Sequence, residues 1–530
     1  MASRKSLRII VADSLSPEGL AALRKAKEVS VDYQPEISPR QLRQVIGRYD
    51  ALVVRSRTKV TRDILAVATR LKVIGRAGVG VDNVDVEAAT ERGILVMNTP
   101  EGNTRSTAEL TLALMLALAR QIVQACNLVK AGQWKKLMGN ELGGKTVGII
   151  GLGRIGTAVA RRCAAFEMRV LGYDPYVAEE RARRAEVNLV SLSRLLRESD
   201  FITIHAPLDR KTHHLLGAKQ FALMKKGVRI IDCARGGIID EDALLKALKS
   251  GRVVGAALDV FEHEPPGDSP LLKEPGVLAT PHIGASTEEA QQNVSIQIAE
   301  QLLAALTDGP IRNAVNIPPV DPEVYATLKP YITLGEKLGR FVAQLIPDRF
   351  SRIRVTYYGE MNEYDVTPIT RALLKGVLDP RLDGTVNYVS APAIARERGL
   401  SIAELKSSEP SDFTNLIVVE TRVGNRRFSV AGSFFGRNDP RIVRINGFHV
   451  DTVPEGHMLV VTNHDRPGVI SHLSTTVARR GVNIANMTVG RNRPLGKAVI
   501  VINLDSALDE RTLEEICSNK LIISARPISL

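Results

Sequence analysis

The segment Lys145-Thr-Val-Gly-Ile-Ile150 is an apolar run, and it leads directly into Gly151-Leu-Gly153-Arg-Ile-Gly156. A helical pattern over Thr157–Ala165 follows it. In a strand, turn and helix of this kind, the glycines allow a tight turn, close approach of the backbone to a pyrophosphate, and close packing of the helix on the strand. The pattern therefore predicts a Rossmann-type unit that binds dinucleotide phosphates at the N-terminus of its first helix.

An acidic residue stands where this fingerprint needs one. Asp174 comes eighteen residues after Gly156, at the end of the strand-like run Arg169–Tyr173. A carboxylate there accepts hydrogen bonds from ribose hydroxyls and opposes a 2′-phosphate, so NAD is the expected cofactor in preference to NADP. The alternative is that Asp174-Pro175 only caps the strand.

Short β-branched runs alternate with helical patterns on both sides of the fingerprint, from Leu7 to Met97 and from Lys145 to Pro281. This alternation predicts an α/β protein with two Rossmann-like, doubly wound parallel-sheet domains. Ser106-Thr-Ala-Glu109 is predicted to be a capping box that opens an apolar helix running to Ala119. The expected strands are Ile9–Val11, Ala51–Val54, Val73–Ile74, Ile94–Val96, 146–150, 169–173, 201–204, 229–232 and 254–258.

The C-terminal stretch has a different pattern, typical of a ferredoxin-like βαββαβ domain. Its expected elements are His457–Asn463 (strand), Gly468–Arg480 (helix), Asn483–Val489 (strand), Ala498–Leu504 (strand), Asp509–Ser518 (helix) and Ile522–Ile528 (strand). Residues 323–452 also have an α/β pattern but carry no catalytic signature. A cluster of Pro310, Pro318, Pro319 and Pro322 predicts a linker before them.

Composition restricts the classes of function. The chain has 71 basic and 58 acidic residues, and residues 1–76 alone hold 16 Lys and Arg against 7 Asp and Glu. Such a charge attracts anions, and a small anionic substrate is favoured over nucleic acid because no nucleic-acid-binding motif accompanies it.

The longest apolar run, Leu110–Ala119, is about half a bilayer span, so no membrane association is expected. Met1–Ser6 is not a secretory signal, which favours a cytoplasmic protein. The four scattered cysteines predict neither disulfides nor a metal site.

Three polar side chains follow expected strands of the second α/β unit. Arg235, Glu264 and His282 supply a guanidinium, a carboxylate and an imidazole. A 2-hydroxy acid requires a bidentate cation for its carboxylate and an acid-base group of near-neutral pKa for its hydroxyl proton. Glu264 would raise the pKa of His282 and fix its tautomer if the two were hydrogen-bonded. Taken singly, each could instead be a surface salt bridge, a loop carboxylate or a turn residue.

Residues 7–317 resemble the D-isomer-specific 2-hydroxy-acid dehydrogenases. The resemblance is carried by Arg76-Ala-Gly-Val-Gly-Val-Asp-Asn-Val-Asp85, the glycine fingerprint, His205-Ala-Pro, Ala234-Arg-Gly-Gly, Asp259-Val-Phe-x-x-Glu-Pro and Pro281-His-Ile-Gly. It implies that Arg235 binds the substrate carboxylate and that Glu264 supports His282, which exchanges the proton. The positions it implies for NAD contacts are Val79, Gly151, Gly153, Arg154, Ile155, Gly156, Asp174, Ala206, Pro207, Cys233, Ala234, Asp259 and Gly284. Ala206 stands where the family often has threonine. The positions it implies for substrate contacts are Arg55, Ser56, Arg76 and Asn103.

Ile445-Asn-Gly-Phe and Asp465-Arg-Pro-Gly are similar to the long members of this family, which add an intervening domain and an ACT domain. The resemblance implies a substrate-binding domain in 1–104 and 287–318, an NAD-binding domain in 105–286, an intervening domain in 319–452 and an ACT domain in 457–530. It implies oxidation of 3-phosphoglycerate and control by L-serine, bound through Asn463, Asp465 and Asn483 between two ACT domains. A homodimer or homotetramer is expected, with helix 106–119 as a candidate contact. A glyoxylate or hydroxypyruvate reductase and a non-enzymatic NAD-binding corepressor remain alternatives.

Overall fold

The computed structural model describes residues 6–307, 309, 311–318, 322–382, 386–409, 412–436 and 439–530. The described residues exclude residues 1–5, which belong to the N-terminal segment that is not a predicted secretory signal. They also exclude Pro310 and Pro319 of the predicted linker. Strands and helices are numbered below in chain order.

The first sheet consists of parallel strands in the order β2-β1-β3-β4-β5, namely β1 (Leu7–Val11), β2 (Val29–Tyr33), β3 (Ala51–Val54), β4 (Val73–Arg76) and β5 (Leu95–Met97). Its helices are α1 (Pro17–Arg24), α2 (Pro39–Val45), α3 (Arg62–Ala66) and α4 (Val86–Glu91). One face buries Ile10, Leu52 and Ile74, and the other buries Ile9 and Val53. Burial on both faces explains why these strands are continuous β-branched runs.

The second sheet is also parallel, in the order β12-β11-β10-β9-β6-β7-β8. Its strands are β6 (Thr146–Ile150), β7 (Arg169–Tyr173), β8 (Asn188–Leu189), β9 (Phe201–Ile204), β10 (Val228–Asp232), β11 (Val253–Leu258) and β12 (Val277–Ala279). Its helices are α5 (Thr104–Arg120), α6 (Ile122–Lys130), α7 (Arg154–Ala165), α8 (Glu179–Arg184), α9 (Leu192–Glu198), α10 (Ala218–Leu223) and α11 (Glu241–Lys249). The strand order reverses between β6 and β9, which is where ligands bind in such sheets. The next helix, α12 (Glu288–Leu306), packs against α1 and β4 of the first sheet.

A mixed sheet follows, in the order β14-β13-β15-β16-β17-β18. Its elements are α13 (Pro322–Leu345), β13 (Arg352–Gly359), α14 (Thr367–Leu378), α15 (Ala391–Glu397), β14 (Ser401–Ser407), β15 (Asn415–Val423), β16 (Arg426–Phe435), β17 (Asp439–Ile445) and β18 (Phe448–Thr452). The last sheet is antiparallel, in the order β20-β21-β19-β22, and is built from β19 (His457–His464), α16 (Val469–Arg479), β20 (Ile484–Arg491), β21 (Lys497–Leu504), α17 (Glu510–Cys517) and β22 (Ile522–Ser529).

The predicted α/β fold class, with two parallel sheets and a C-terminal ferredoxin-like domain, is confirmed. The predicted capping box at Ser106 is wrong, because α5 already begins at Thr104. The Ser106 hydroxyl instead donates to the carbonyl of Gly284 at 2.8 Å. The residue is therefore used in a tertiary contact between α5 and the loop that carries His282.

No single helix in the described part of the chain is long and apolar enough to cross a membrane. By length and composition alone, α5 and α6 taken together could form a membrane span, but the two helices meet at a bend of 63°. Nine residues of α5 are buried within the protein, in keeping with its packing on α7, β10 and β11.

Candidate active site

The glycine loop after β6 has the geometry that a dinucleotide pyrophosphate needs. Gly151 has φ +91°, and an added Cβ there would lie 2.6 Å from the carbonyl oxygen of His205. A Cβ at Gly156 would lie 2.0 Å from the carbonyl oxygen of Gly151, so only glycine allows α7 to pack this closely. Around Gly153, by contrast, a Cβ would meet nothing within 4 Å among the described atoms. The loop therefore fits a bound pyrophosphate at the N-terminus of α7.

A pocket of 350 Å³ lies beside this loop, at the ends of β6, β7 and β9. Asp174 lines it, together with Tyr173, Tyr176, Ala206 and Pro207. The Asp174 carboxylate accepts hydrogen bonds from the backbone N–H groups of Leu152 and Tyr176, both at 2.9 Å. Asp174 therefore holds the glycine turn and places a negative charge at the wall of the pocket. The residues present fit the adenosine half of NAD.

His282 and Glu264 form a hydrogen-bonded pair at the ends of β12 and β11. Nδ1 of His282 lies 2.8 Å from Oε2 of Glu264. This hydrogen bond raises the pKa of His282, and it outweighs the burial that would lower it. Burial raises the pKa of Glu264, but the bond to His282 and the charge of His282 bring it below its usual value. His282 has a left-handed backbone, φ +54°, which is uncommon for a residue with a side chain and is often found at functional sites.

Three arginines form a cluster, and one of them, Arg235, lies near this pair. Arg55 follows β3, Arg76 ends β4, and Arg235 follows β10, so the cluster combines both parallel sheets. Burial, the charge of Arg235 and the charge of Arg55 lower the pKa of Arg76 to about 10. The Nε atoms of Arg55 and Arg76 are buried without a hydrogen-bond partner among the described residues. Positive charges placed this close together fit a substrate with more than one negative charge.

Asp82 is a member of this cluster that the sequence analysis did not single out. Its Oδ2 accepts from Nε of Arg235 at 3.2 Å, and this contact joins the loop after β4 of the first sheet to the loop after β10 of the second sheet. Nη1 of Arg235 donates to the carbonyl oxygen of Ala234 at 2.6 Å. Asp82 lies inside the family-like segment Arg76–Asp85, but no local sequence pattern connects it to Arg235, 153 residues away.

Asp259 organises the loop that carries His282. It is 1% exposed, and its carboxylate accepts from the Thr280 hydroxyl and from the N–H groups of Ile283 and Gly284, at 2.6 to 2.8 Å. Three donors on one buried carboxylate fix the backbone on both sides of His282. Asp259 and Gly284, both predicted NAD positions, are thus in direct contact.

The other predicted residues have varied surroundings. Ser56 is exposed, whereas Oδ1 of Asn103 is buried and has no partner among the described residues. Nη2 of Arg154 lies 3.2 Å from Oε1 of Glu101, which precedes α5. Val79 accepts a hydrogen bond from Asn98, and Ile155 packs on the core beneath α7. Cys233 and Ala234 are buried in the turn after β10. In the described part of the chain, no group of three or more His, Cys, Asp or Glu side chains could hold a metal ion.

The three predicted effector residues lie at two ends of the last sheet. Asn463 is 2% exposed, and its Oδ1 has no partner among the described residues. Asp465 accepts from the N–H of Leu495 at 3.2 Å and lies 3.7 Å from Arg491. Asn463 pairs with Ala498, but Asn483 precedes Ile484, which pairs with Leu504. At about 3.3 Å per residue, Asn483 is roughly 20 Å from the others. One chain therefore does not bring all three residues together.

Comparisons with known proteins agree with this architecture. Residues 112–284 match the model of the D-isomer specific 2-hydroxyacid dehydrogenase NAD binding domain. Residues 327–446 match the D-3-phosphoglycerate dehydrogenase intervening domain, and residues 457–520 match the ACT domain. The fold and the site are those of an NAD-binding oxidoreductase of the 2-hydroxyacid dehydrogenase class, with an ACT module that binds small-molecule effectors.

Full-length relatives narrow this class. D-3-phosphoglycerate dehydrogenase of Methanocaldococcus jannaschii is 45% identical over 96% of this chain and 97% of the relative. The protein of the same name from Bacillus subtilis is 42% identical over 99% of both chains. Among solved structures, D-lactate dehydrogenase of Aquifex aeolicus with NAD and lactic acid has 28% identity and a TM-score of 0.51, covering 59% of this chain and 99% of the other. The chain belongs to the D-3-phosphoglycerate dehydrogenase family.

Proposed function

We propose that this chain oxidises D-3-phosphoglycerate to 3-phosphohydroxypyruvate with NAD, the first step of L-serine biosynthesis. The observation that carries the proposal is the cluster of Arg55, Arg76 and Arg235 beside the His282–Glu264 pair. The substrate has a carboxylate and a phosphate, and both need cations. The names of the full-length relatives support the same assignment.

Each residue has a distinct part in this reaction. Arg235 binds the substrate carboxylate, while Arg55, Arg76, Ser56 and Asn103 hold the rest of the molecule. Bound NAD supplies the hydride acceptor.

Because Nδ1 of His282 is engaged by Glu264, Nε2 is the nitrogen that takes the hydroxyl proton. Glu264 stabilises the imidazolium that forms. Asp259 keeps the His282 loop in place during proton transfer.

The regulatory and cellular parts of the proposal rest on the C-terminal domain and on composition. We propose L-serine as the effector at Asn463, Asp465 and Asn483, with the last residue supplied by a second copy in a homodimer or homotetramer. The unpaired Oδ1 of Asn463 supports a polar ligand there.

Four free cysteines support a cytoplasmic location. We propose a substrate-binding domain in 1–104 and 287–318, an NAD-binding domain in 105–286, an intervening domain in 319–452 and an ACT domain in 457–530.

Turnover assays separate this function from its alternatives. Purified protein with NAD and D-3-phosphoglycerate should form NADH. The kcat/KM for this oxidation should exceed the kcat/KM for reduction of glyoxylate or hydroxypyruvate with NADH. His282→Ala should lower kcat by roughly 10²-fold or more while the Kd for NAD hardly changes. Preferred glyoxylate or hydroxypyruvate reduction would identify a reductase of the same class. NAD binding without any turnover would indicate a corepressor.

A further inference from the structure

The turn that carries Arg235 is held by a buried carboxyl group that the mechanism above does not use. Asp232 ends β10, a central strand of the second sheet, and is 2% exposed. Its Oδ1 accepts from the N–H of Ala234 at 2.8 Å. The backbone of Asp232 also accepts from the N–H of Asp259 at 2.9 Å. Asp232 therefore connects the Arg235 turn to the residue that organises the His282 loop.

We propose that Asp232 is a positioning residue for Arg235. When the Asp232 carboxyl group is neutral, the guanidinium charge of Arg235 is left to the substrate carboxylate. When the group is ionised, it competes with the substrate for that charge. This inference rests on the proposed role of Arg235 in binding the carboxylate of a 2-hydroxy acid. An acceptor at Asp232 is needed in both forms because it fixes the Ala234 N–H and hence the turn.

Asp232 ionises near neutral pH. Burial, and to a lesser extent the charge of Asp259, raise the pKa of Asp232 to about 7, although the Ala234 N–H and Arg235 oppose the shift. Below this pH the carboxyl group is neutral, and above it the group carries a negative charge near Arg235.

Two buried groups beside Asp232, His205 and Cys233, do not change charge near pH 7. His282, whose pKa is raised by Glu264, also lies near Arg235 and adds its own pH dependence to substrate binding. Burial lowers the pKa of His205, which follows the neighbouring strand β9, to about 3, so this imidazole is neutral. Burial raises the pKa of Cys233 to about 12, so its thiol is neutral as well. Arg235 and Asp259 are the charged groups that face Asp232. The contribution of Asp232 to the pH dependence of substrate affinity is therefore the part that its substitution removes.

The test compares wild type with Asp232→Asn, which keeps an acceptor oxygen but cannot ionise. The probe is tartronate, a 2-hydroxy acid whose two carboxylates stay ionised from pH 6 to 8.5, and its Kd is measured by calorimetry on the NAD-loaded protein. In wild type, the Kd should rise on the order of fivefold across this range, because an ionised Asp232 weakens the field of Arg235. In Asp232→Asn the rise should be clearly smaller, because only the contribution of His282 remains. The KM for D-3-phosphoglycerate should show the same difference between the two proteins.

Asp232→Ala removes the acceptor and should raise the Kd roughly tenfold at every pH, with recovery in Asp232→Asn. Equal pH dependence in wild type and Asp232→Asn would overturn the inference, whether or not the Ala variant folds. Tartronate binding with the expected pH dependence, but without turnover of D-3-phosphoglycerate, would contradict the proposed function and leave this inference standing.

Discussion

An added Cβ at Gly80 would lie 2.2 Å from Nη2 of Arg235, so a side chain at position 80 must displace the guanidinium. Gly80 belongs to the loop after β4 of the first sheet, and Arg235 belongs to the turn after β10 of the second sheet. The same Cβ would lie 2.7 Å from Oδ2 of Asp82. The atoms that must move are the ends of flexible side chains, so the cost falls on substrate binding more than on folding.

Gly80→Ala should therefore raise KM for the 2-hydroxy acid roughly tenfold or more, because a bidentate grip on a carboxylate depends on the position of the guanidinium. The melting temperature should change little. Steady-state kinetics and thermal unfolding measure the two effects. Gly143→Ala is the matched control, since its added Cβ would meet nothing closer than 3.9 Å. An unchanged KM in Gly80→Ala would show that Arg235 is not held where the substrate binds.

Loss of the Glu264 carboxylate should alter the pH profile of oxidation. His282 must be neutral to take the hydroxyl proton, and Glu264 raises its pKa. Glu264→Gln removes that effect, so the acid limb of kcat/KM should move to lower pH. The maximal rate should nevertheless fall roughly tenfold or more, because the imidazolium loses its partner. An acid limb that stays in place would mean that another group titrates there.

Asp174 should set the preference for NAD. Asp174→Ala removes the negative charge that opposes a 2′-phosphate, so the ratio of kcat/KM for NAD to that for NADP should fall. Because Asp174 also accepts from Leu152 and Tyr176, part of the loss with NAD will come from a looser glycine turn. Asp174→Asn separates the two effects, since it removes the charge but retains an acceptor. An unmodified protein that used both cofactors equally would refute the assignment.

Much of this architecture could be predicted from sequence because it is locally encoded. The central strands are buried on both faces and appear as continuous apolar runs, and the glycine loop has a fixed spacing. In the two parallel sheets, the strands that were not predicted are β2, β8 and β12, which lie at sheet edges and are partly exposed, and β8 has only two residues. The six strands of the mixed sheet were covered only by the general α/β pattern of residues 323–452. A half-exposed or very short strand has no apolar run to reveal it.

The contacts between loops could not be predicted in the same way. Arg235 was singled out from the sequence, but its partner Asp82 comes from the other parallel sheet. Ser106 has the local signature of a cap, yet its hydroxyl reaches Gly284, 178 residues away. Asp232 is an acidic residue at the end of a buried central strand, which is a usable signal. Its contact with the Ala234 N–H became evident only from the turn geometry.

The last prediction concerns control by L-serine. Asp465 can accept from the ammonium group of an amino acid, and the buried, unpaired Oδ1 of Asn463 lies at the same end of the sheet. Serine should bind the wild-type oligomer and lower kcat, because inhibition requires that serine bind a less active state more tightly than the active one. Asp465→Ala should lose both responses, while its activity without serine should persist. Glu514→Ala, which removes an exposed charge from α17 of the same domain, is the matched control and should respond as wild type does. Calorimetric titration measures binding and steady-state kinetics measures inhibition. Asn483→Ala should have the same effect as Asp465→Ala only if two copies share the site, since one chain places these residues roughly 20 Å apart. Equal serine responses in wild type and Asp465→Ala would exclude this site.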